Sequence, residues 1–372
     1  MKLKDLIESN NTGLDAIKRA PIVEYDTGIR CLRIGDISNN RPFNDWGYTV
    51  VEEKNYNKFQ LKKGDIIVAR TGATIGVNKY IDKDYKSVYN NGLIRIRVKE
   101  ENNPRYVYYL LQSNNYKNFI KTISMGTSTQ PNMQMNDLLN LDVPNFDRFK
   151  QDKIVELLGS IDKKIELNNE INNNLYEISK QLLLKYLEDN SDSEEINISE
   201  LLNVFTGKKN ANETSPNGKY KFFSCAPESL LSDTFLYDGA AIIVAGNGAY
   251  TGRTRFYDGK FELYQRTYGL TLKDDVNKNN IYGLYVFMKT IFEPDKMGGT
   301  HGSAIPYIVL SDLTDYKLKY NKIEFEKFSD LVSNNIKMIQ ENEKNNEELS
   351  QLRDTLLPKL MNGEIDLDNI EI

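Results

Sequence analysis

Cysteine and histidine are nearly missing from this chain of 372 residues, which has only Cys31, Cys225 and His301. Two cysteines far apart, with no partner spacing, exclude a disulfide framework and a cysteine-ligated zinc site. A single histidine leaves a multi-histidine metal site or a Ser-His-Asp triad hard to build, so no metal is expected. Long apolar runs are also missing: no stretch reaches the roughly 18 residues of a membrane span. Met1-Lys2-Leu3-Lys4-Asp5 lacks the apolar stretch of a secretory signal, so a cytoplasmic protein is expected. With 40% hydrophobic and 27% charged residues the chain has the composition of a soluble globular protein. Its length suggests two or three domains.

The net charge of −5 gives no sign of a nucleic-acid binder, but it hides a division along the chain. Counted from the sequence, residues 1–150 carry +6, 151–200 carry −7, 201–320 carry +2 and 321–372 carry −6. Basic and acidic segments alternate, so local charge says more about partners than the overall value.

The same series of features occurs twice. Residues 3–7 (LKDLI) match 198–202 (ISELL), and Thr12-Gly13 matches Thr206-Gly207. Residues 62–76 (KKGDIIVARTGATIG) match 237–252 (YDGAAIIVAGNGAYTG), each running from a charged turn through a short β-branched stretch into a Gly-rich loop. Tyr106 to Leu111 resembles Tyr282 to Phe287 and reads as a short helix. Met125-Gly126-Thr127-Ser128 matches Gly298-Gly299-Thr300-His301, a loop of small residues.

Each copy ends in a segment of another kind. Leu157, Ile161, Lys164, Asn168, Ile171, Leu175, Ile178 and Leu182 follow alternating steps of four and three. Shifted along the chain, the same steps give Leu331, Asn335, Met338, Asn342, Asn345, Leu349, Leu352 and Leu356. This spacing is that of a coiled-coil seam, with Leu157, Ile161, Asn168, Ile171, Leu175, Leu331, Met338, Asn342, Leu349 and Leu352 as its expected members. Residues 151–188 would form a helix of roughly 57 Å. Pro358 and Gly363 suggest fraying or a stop near the end of the second helix. Two such helices, each with an apolar stripe, are expected to pack antiparallel, with Asn168 near Asn345 and Ile171 near Asn342.

Signs of catalysis are weak. Asn103-Pro104-Arg105-Tyr106 resembles the Asn-Pro-Pro-Tyr element of amino-methyltransferases, but Arg replaces the second Pro, and a loop leading into a helix is the better reading. No GxxxxGK[ST] phosphate loop occurs, so Gly72, Gly76, Gly246, Gly248 and Gly252 are read as turns and close approaches of backbone. Glu324, Glu326 and Asp330 form an acidic helix start, and Asp65 and Asp238 are turn residues before strands. The basic residues are more suggestive, because they cluster near the Gly-rich loops. Arg70, Thr71, Gly72, Lys79, Arg95 and Arg97 in the first copy, and Lys208, Lys209, Arg253, Arg255 and Arg266 in the second, are candidates for DNA contact. Arg reads guanine through two hydrogen bonds while Lys mostly neutralises phosphate. Gln130, Asn132 and Asn247 have the amide geometry that reads adenine, and Thr127, Ser128, His301 and Ser303 lie in the small-residue loops.

In this arrangement the chain resembles the specificity subunit of Type I restriction-modification enzymes over nearly its whole length. The resemblance rests on residues 126–133 (GTSTQPNM), Asp142-Val143-Pro144, residues 151–171 (QDKIVELLGSIDKKIELNNEI), residues 355–367 (TLLPKLMNGEIDL) and the loop Ala69 to Gly76. It departs from the family where Pro144-Asn145 and Lys150-Gln151 precede the first helix, and where no proline stands at Asn321 or Lys322. The resemblance implies an α+β chain with two globular target-recognition domains, 1–150 and 191–320. It also implies two long spacer helices, 151–190 and 321–372 with the C-terminal tail, packed as an antiparallel coiled coil. Each domain would read one half of a split, asymmetric double-stranded DNA site, with unread bases between the halves. Two methyltransferase subunits would dock on the helices, and restriction subunits would join the full complex. S-adenosylmethionine would be bound by the methyltransferase, and this chain would hold no cofactor and no catalytic residue. The competing readings are a coiled-coil adaptor that binds only protein and a self-contained methyltransferase or nuclease.

Overall fold

A computed structural model describes residues 1–125, 132–292 and 307–367. The fold is α+β and divides into two compact units, one formed by residues 1–164 with 348–372 and one by residues 165–347.

The first unit contains β1 (Ile7–Thr12), β2 (Ile22–Val23), β3 (Arg30–Leu32), β4 (Gly47–Thr49), β5 (Ile66–Ala69), β6 (Asn78–Tyr80), β7 (Ser87–Tyr89) and β8 (Leu93–Val98). These make two sheets of four strands, ordered β1-β8-β5-β6 and β2-β4-β3-β7. Short helices α1 (Ile34–Ser38) and α2 (Glu53–Phe59) lie among the strands, followed by α3 (Pro104–Leu110), α4 (Asn114–Met125) and α5 (Met135–Leu139). The run Ile66-Ile67-Val68-Ala69 shows why β5 is continuous in hydrophobicity: alternate side chains serve two cores. Ile66 and Val68 face a core with Leu3, Ile94, Tyr106, Ile154, Leu158, Leu357 and Leu360, whereas Ile67 and Ala69 face one with Leu32, Trp46, Phe59 and Tyr89. Asn103 begins α3 as a helix cap, its Oδ1 accepting from the Arg105 and Tyr106 amides at 2.9 and 3.3 Å, with Pro104 in the first turn. The Asn-Pro-Arg-Tyr string is thus a helix start.

The second unit repeats this plan. Its strands are β9 (Glu195–Asn197), β10 (Leu202–Thr206), β11 (Tyr220–Phe223), β12 (Leu230–Ser232), β13 (Tyr237–Ala245), β14 (Thr254–Leu263), β15 (Thr267–Leu272) and β16 (Lys317–Lys319). β10-β15-β13-β14-β11-β12 form one sheet and β16-β9 another. The order β10-β15-β13-β14 corresponds to β1-β8-β5-β6 of the first unit. In the first unit β3 pairs in parallel with β7, and in the second β11 pairs in parallel with the end of β14. β14 is therefore one long strand where the first unit breaks the same path into β6 and β7. β13 again serves two cores, Ile242 and Val244 in one and Ala241 and Ile243 in the other.

Two long helices complete the fold: one runs from Arg148 to Asp189, the other from Lys322 to Met361. With the intervening α7 (Asn280–Ile291) and α8 (Leu310–Thr314) they are α6 and α9. They run antiparallel: in the second unit Asn168 Nδ2 donates to Asn346 Oδ1 at 2.8 Å, Asn342 Nδ2 to Asn172 Oδ1 at 2.8 Å, and Asn335 Nδ2 to Ser179 Oγ at 3.1 Å. In the first unit Arg353 pairs with Asp162 at 3.0 Å. The expected pairings of Asn168 with Asn345 and of Ile171 with Asn342 are therefore each off by one residue. Ile161 and Asn168 are buried and Leu157, Leu175, Asn342 and Leu349 are half-buried. Ile171, Leu331, Met338 and Leu352 instead face solvent, at 39%, 64%, 50% and 48% exposure. The reason is chemical: the inner row also uses Ser179, Asn172 and Asn346, polar residues that hydropathy places outside, so the apolar residues beside them set the wrong register. α9 continues through Pro358, and Gly363, at φ 71°, closes it in a left-handed turn with Glu364 N donating to Lys359 O.

Candidate nucleic-acid interface

Each unit builds its Gly-rich loop with the same backbone bonds. Gly76 N donates to Ala69 O at 2.8 Å, and Gly252 N to Ala245 O at 2.9 Å. Ile75 N donates to Gly72 O and Thr251 N to Gly248 O, both at 3.1 Å. Gly72 and Gly248 share φ 85°, a conformation open to glycine, which is why both copies keep it. The residue that starts each loop is bonded on two sides. Arg70 N donates to Gly92 O and Gly246 N to Arg266 O, both at 2.9 Å. Met133 N donates to Arg70 O and Ile308 N to Gly246 O, both at 2.8 Å. Isolated bridges join Thr71 to Asn132 and Asn247 to Tyr307. Loop, turn and returning chain thus meet at one backbone station in each unit.

The polar groups at the first station are only partly engaged. Arg70 Nη2 donates to Asn132 Oδ1 at 3.1 Å, while its Nε is buried without a partner among the described residues. Arg33 Nε and Asn90 Oδ1 are in the same condition. Asn90 N is bonded to Leu32 O at 3.1 Å, one residue before Arg33, and Asn90 Oδ1 lies 3.5 Å from where a Cβ on Gly92 would stand. Buried donors and acceptors without partners are expensive, and a ligand with complementary edges would satisfy them. Arg33 and Asn90 were not singled out from sequence. Their signal is spatial, since the turn brings together residues far apart in the chain.

At the second station Arg266 is exposed, and its guanidinium makes no hydrogen bond or ion pair among the described residues. Asn247 Oδ1 accepts from Cys225 Sγ at 3.1 Å, and Cys225 Sγ also approaches Arg266 O at 3.3 Å. Arg253 lies over the Tyr250 ring at 5.7 Å, and Lys208 is exposed. In the first unit Lys79 reaches Asn40 Oδ1 at 3.4 Å, and burial lowers its pKa.

Four sequence candidates are engaged inside the fold. Arg95 is 3% exposed, and its Nη1 donates to the carbonyls of Lys58 and Gln60, both at 3.2 Å. Arg97 makes a two-point pair with buried Asp65, at 2.8 and 2.9 Å. Lys209 Nζ bonds Ser232 Oγ and Thr234 Oγ1 and lies 3.5 Å from Glu262. Arg255 Nη2 donates to the carbonyls of Ala226 and Pro227. These cations tie strands and loops together, so their donors are engaged within their own unit. The cause is that strand positions alternate faces, so a basic residue near a loop in sequence can point inward. Thr127, Ser128, Gln130, His301 and Ser303 lie outside the described residues.

Among the described residues no group of three or more His, Cys, Asp or Glu side chains is placed to hold a metal ion. Nor is any described helix long and apolar enough to cross a membrane.

Comparison with known proteins gives a consistent result. The model of the Type I restriction modification DNA specificity domain matches residues 1–177 and 190–351. The Type I restriction enzyme EcoDI specificity subunit of Escherichia coli is 34% identical over 124 residues, which are 33% of this chain and 26% of that protein. This match therefore spans about a quarter of the relative's length. The Type I restriction enzyme MjaIX specificity subunit of Methanocaldococcus jannaschii is 23% identical over 320 residues, 76% of this chain and 73% of that protein. The crystal structure of a Type I restriction-modification system S subunit from M. genitalium has the same fold, with TM-score 0.58 and 19% identity over 97% of this chain and 95% of that one.

Proposed function

The chain belongs to the Type I restriction modification DNA specificity family, and we propose that it is the DNA sequence-specificity subunit of a restriction-modification complex. Each unit reads one half of a split double-stranded site. The observation that carries this reading is the pair of stations: the same backbone bonds, presenting different polar side chains in the two units. A shared frame with altered side chains suits one task performed on two different sequences. Because Arg70 and Thr71 stand where Gly246 and Asn247 stand in the other copy, the half-sites differ and the full site is asymmetric.

The chain acts without chemistry of its own. Methyltransferase subunits, two in number, dock on α6 and α9 and bring S-adenosylmethionine, and restriction subunits complete the assembly in the cytoplasm. The test is a single-molecule methylation map of DNA from cells that carry this chain with its partner methyltransferase, against cells lacking only this chain. The expected result is a split asymmetric motif that vanishes without the chain. Methylation independent of the chain would refute the proposal.

A further inference from the structure

The two stations differ by an exchange. In the first unit the loop carries arginine and the turn glycine, Arg70 facing Gly92 across the N–H···O bond; in the second the loop carries glycine and the turn arginine, Gly246 facing Arg266. We infer that Arg266 is the base-reading residue of the second unit, that it replaces Arg70 at the equivalent station, and that its target is a guanine.

Local packing explains why the arginine changes sides. A Cβ on Gly246 would lie 2.5 Å from Arg266 O and 2.8 Å from the Tyr268 ring, so the loop position of the second unit admits no side chain. A Cβ on Gly92 would lie 2.6 Å from Ile34 Cδ1, so in the first unit that methyl group fills the turn position. The residue equivalent to Ile34 follows from the parallel strands. Asn90 N donates to Leu32 O and Tyr264 N to Phe223 O, which aligns Ile34 with Cys225. Cys225 is smaller, and its Sγ turns to Asn247 and the Arg266 carbonyl. The bulk that Ile34 sets against the turn position in one unit is thereby absent from the other, where the turn position carries a side chain. The three differences, Arg70 to Gly246, Gly92 to Arg266 and Ile34 to Cys225, belong together and keep one guanidinium at each station.

Guanine is the base whose major-groove edge offers two acceptors, N7 and O6, to a guanidinium fork. An exposed arginine with no hydrogen bond or ion pair among the described residues keeps all its donors for that edge. This inference rests on the specificity-subunit reading and assigns a residue to it.

The test uses the full chain with its methyltransferase in cells, mapping methylation for the unsubstituted chain, Arg266→Ala, Arg70→Ala and Cys225→Ile. Arg266→Ala is expected to relax one guanine position of one half-site, with discrimination there falling about tenfold or more, and to leave the other half-site unchanged. Arg70→Ala is expected to do the same in the other half. Cys225→Ile, which restores the bulk of the first copy, is expected to weaken discrimination at the Arg266 position. If Arg266→Ala leaves the motif unchanged, or lowers methylation equally at all sequences as a lost phosphate contact would, the inference is overturned while the specificity reading stands. If the unsubstituted chain produces no chain-dependent motif, both are overturned. A Cys225→Ile map identical to that of the unsubstituted chain would overturn the packing argument for the exchange. The melting temperature of the purified Arg266→Ala chain, expected unchanged because the side chain is exposed, separates lost reading from lost folding.

Discussion

Arg97 and Arg70 both lie on or beside the strands that lead to the first Gly-rich loop, yet they do different work. Arg97 closes a two-point pair with Asp65, whose side chain is 1% exposed. Removing the arginine would leave that carboxylate buried without its countercharge. Arg97→Ala is therefore expected to destabilise the first unit by about 3 kcal/mol, seen in chemical denaturation, with the methylated motif unchanged. Arg70→Ala is expected to show the reverse, a loss of about 1–3 kcal/mol in discrimination at one base with little change in stability. Sequence cannot separate the two arginines, because Asp65 is 32 residues from Arg97 and only the pairing of β5 with β8 brings them together. The cysteines divide in a similar way. Burial raises the Cys31 thiol pKa from the ordinary value of 9.0 to about 11. An acid with a raised folded pKa supports folding fully below its unfolded value and loses that support as pH rises towards the folded one. The first unit should therefore lose stability between about pH 9 and 11, and Cys31→Ala should flatten that part of the pH dependence in denaturation curves. A native chain treated with an alkylating reagent at neutral pH should modify Cys225 and spare Cys31.

Among the elements, the strand that leads into each Gly-rich loop was legible in the sequence, and the helix register was not. The β-branched runs at Ile66 to Val68 and Ile242 to Val244, each followed by glycines at fixed offsets, express demands of the backbone itself. Positive φ at Gly72 and Gly248 tolerates few alternatives, so the pattern survives in both copies. The helices answer a weaker demand. Their inner row includes Asn168 paired with Asn346 and Asn342 paired with Asn172, so these polar side chains can be buried or half-buried because each has a partner across the helices. The sequence offset that carries Asn168 to Asn342 also carries Asn172 to Asn346. The bonds Asn168–Asn346 and Asn342–Asn172 are thus exchanged by the repeat, and one pairing rule serves both. Asn346 bonds both Asn168 and Asn169, at 2.8 and 2.9 Å. Asn346→Leu should cost about 1–3 kcal/mol because Asn168, 1% exposed, loses its acceptor. The double variant Asn168→Leu with Asn346→Leu should recover most of this loss. Denaturation of the two single variants and the double variant measures the coupling, and a double-variant loss equal to the sum of the two single losses would show that the pair does not act as a unit.

For the whole molecule, the charge balance misleads because the net negative charge is confined to residues 151–200 and 321–372 and part of the positive charge is engaged inside the fold. Of the cations first marked for DNA, Arg95, Arg97, Lys209 and Arg255 are held by carbonyls, hydroxyls or carboxylates of their own unit. Five candidates remain, Lys208 and Arg266 exposed and Arg70, Lys79 and Arg253 half-buried. The distinction can be read from salt dependence, since each phosphate neutralised by a cation steepens the fall of log K with log salt by about 0.9. A cation tied inside the protein releases no counterion from DNA. Lys208→Ala should therefore make the slope shallower by about 0.9 for cognate and unrelated duplexes alike, because a phosphate contact carries no sequence information. Arg255→Ala, which removes the guanidinium that donates to the Ala226 and Pro227 carbonyls, should leave the slope unchanged and lower stability instead. Fluorescence anisotropy titrations over a range of salt concentrations check both. A slope that responds to Arg255→Ala and ignores Lys208→Ala would reverse the assignment of which charges meet DNA and which hold the fold.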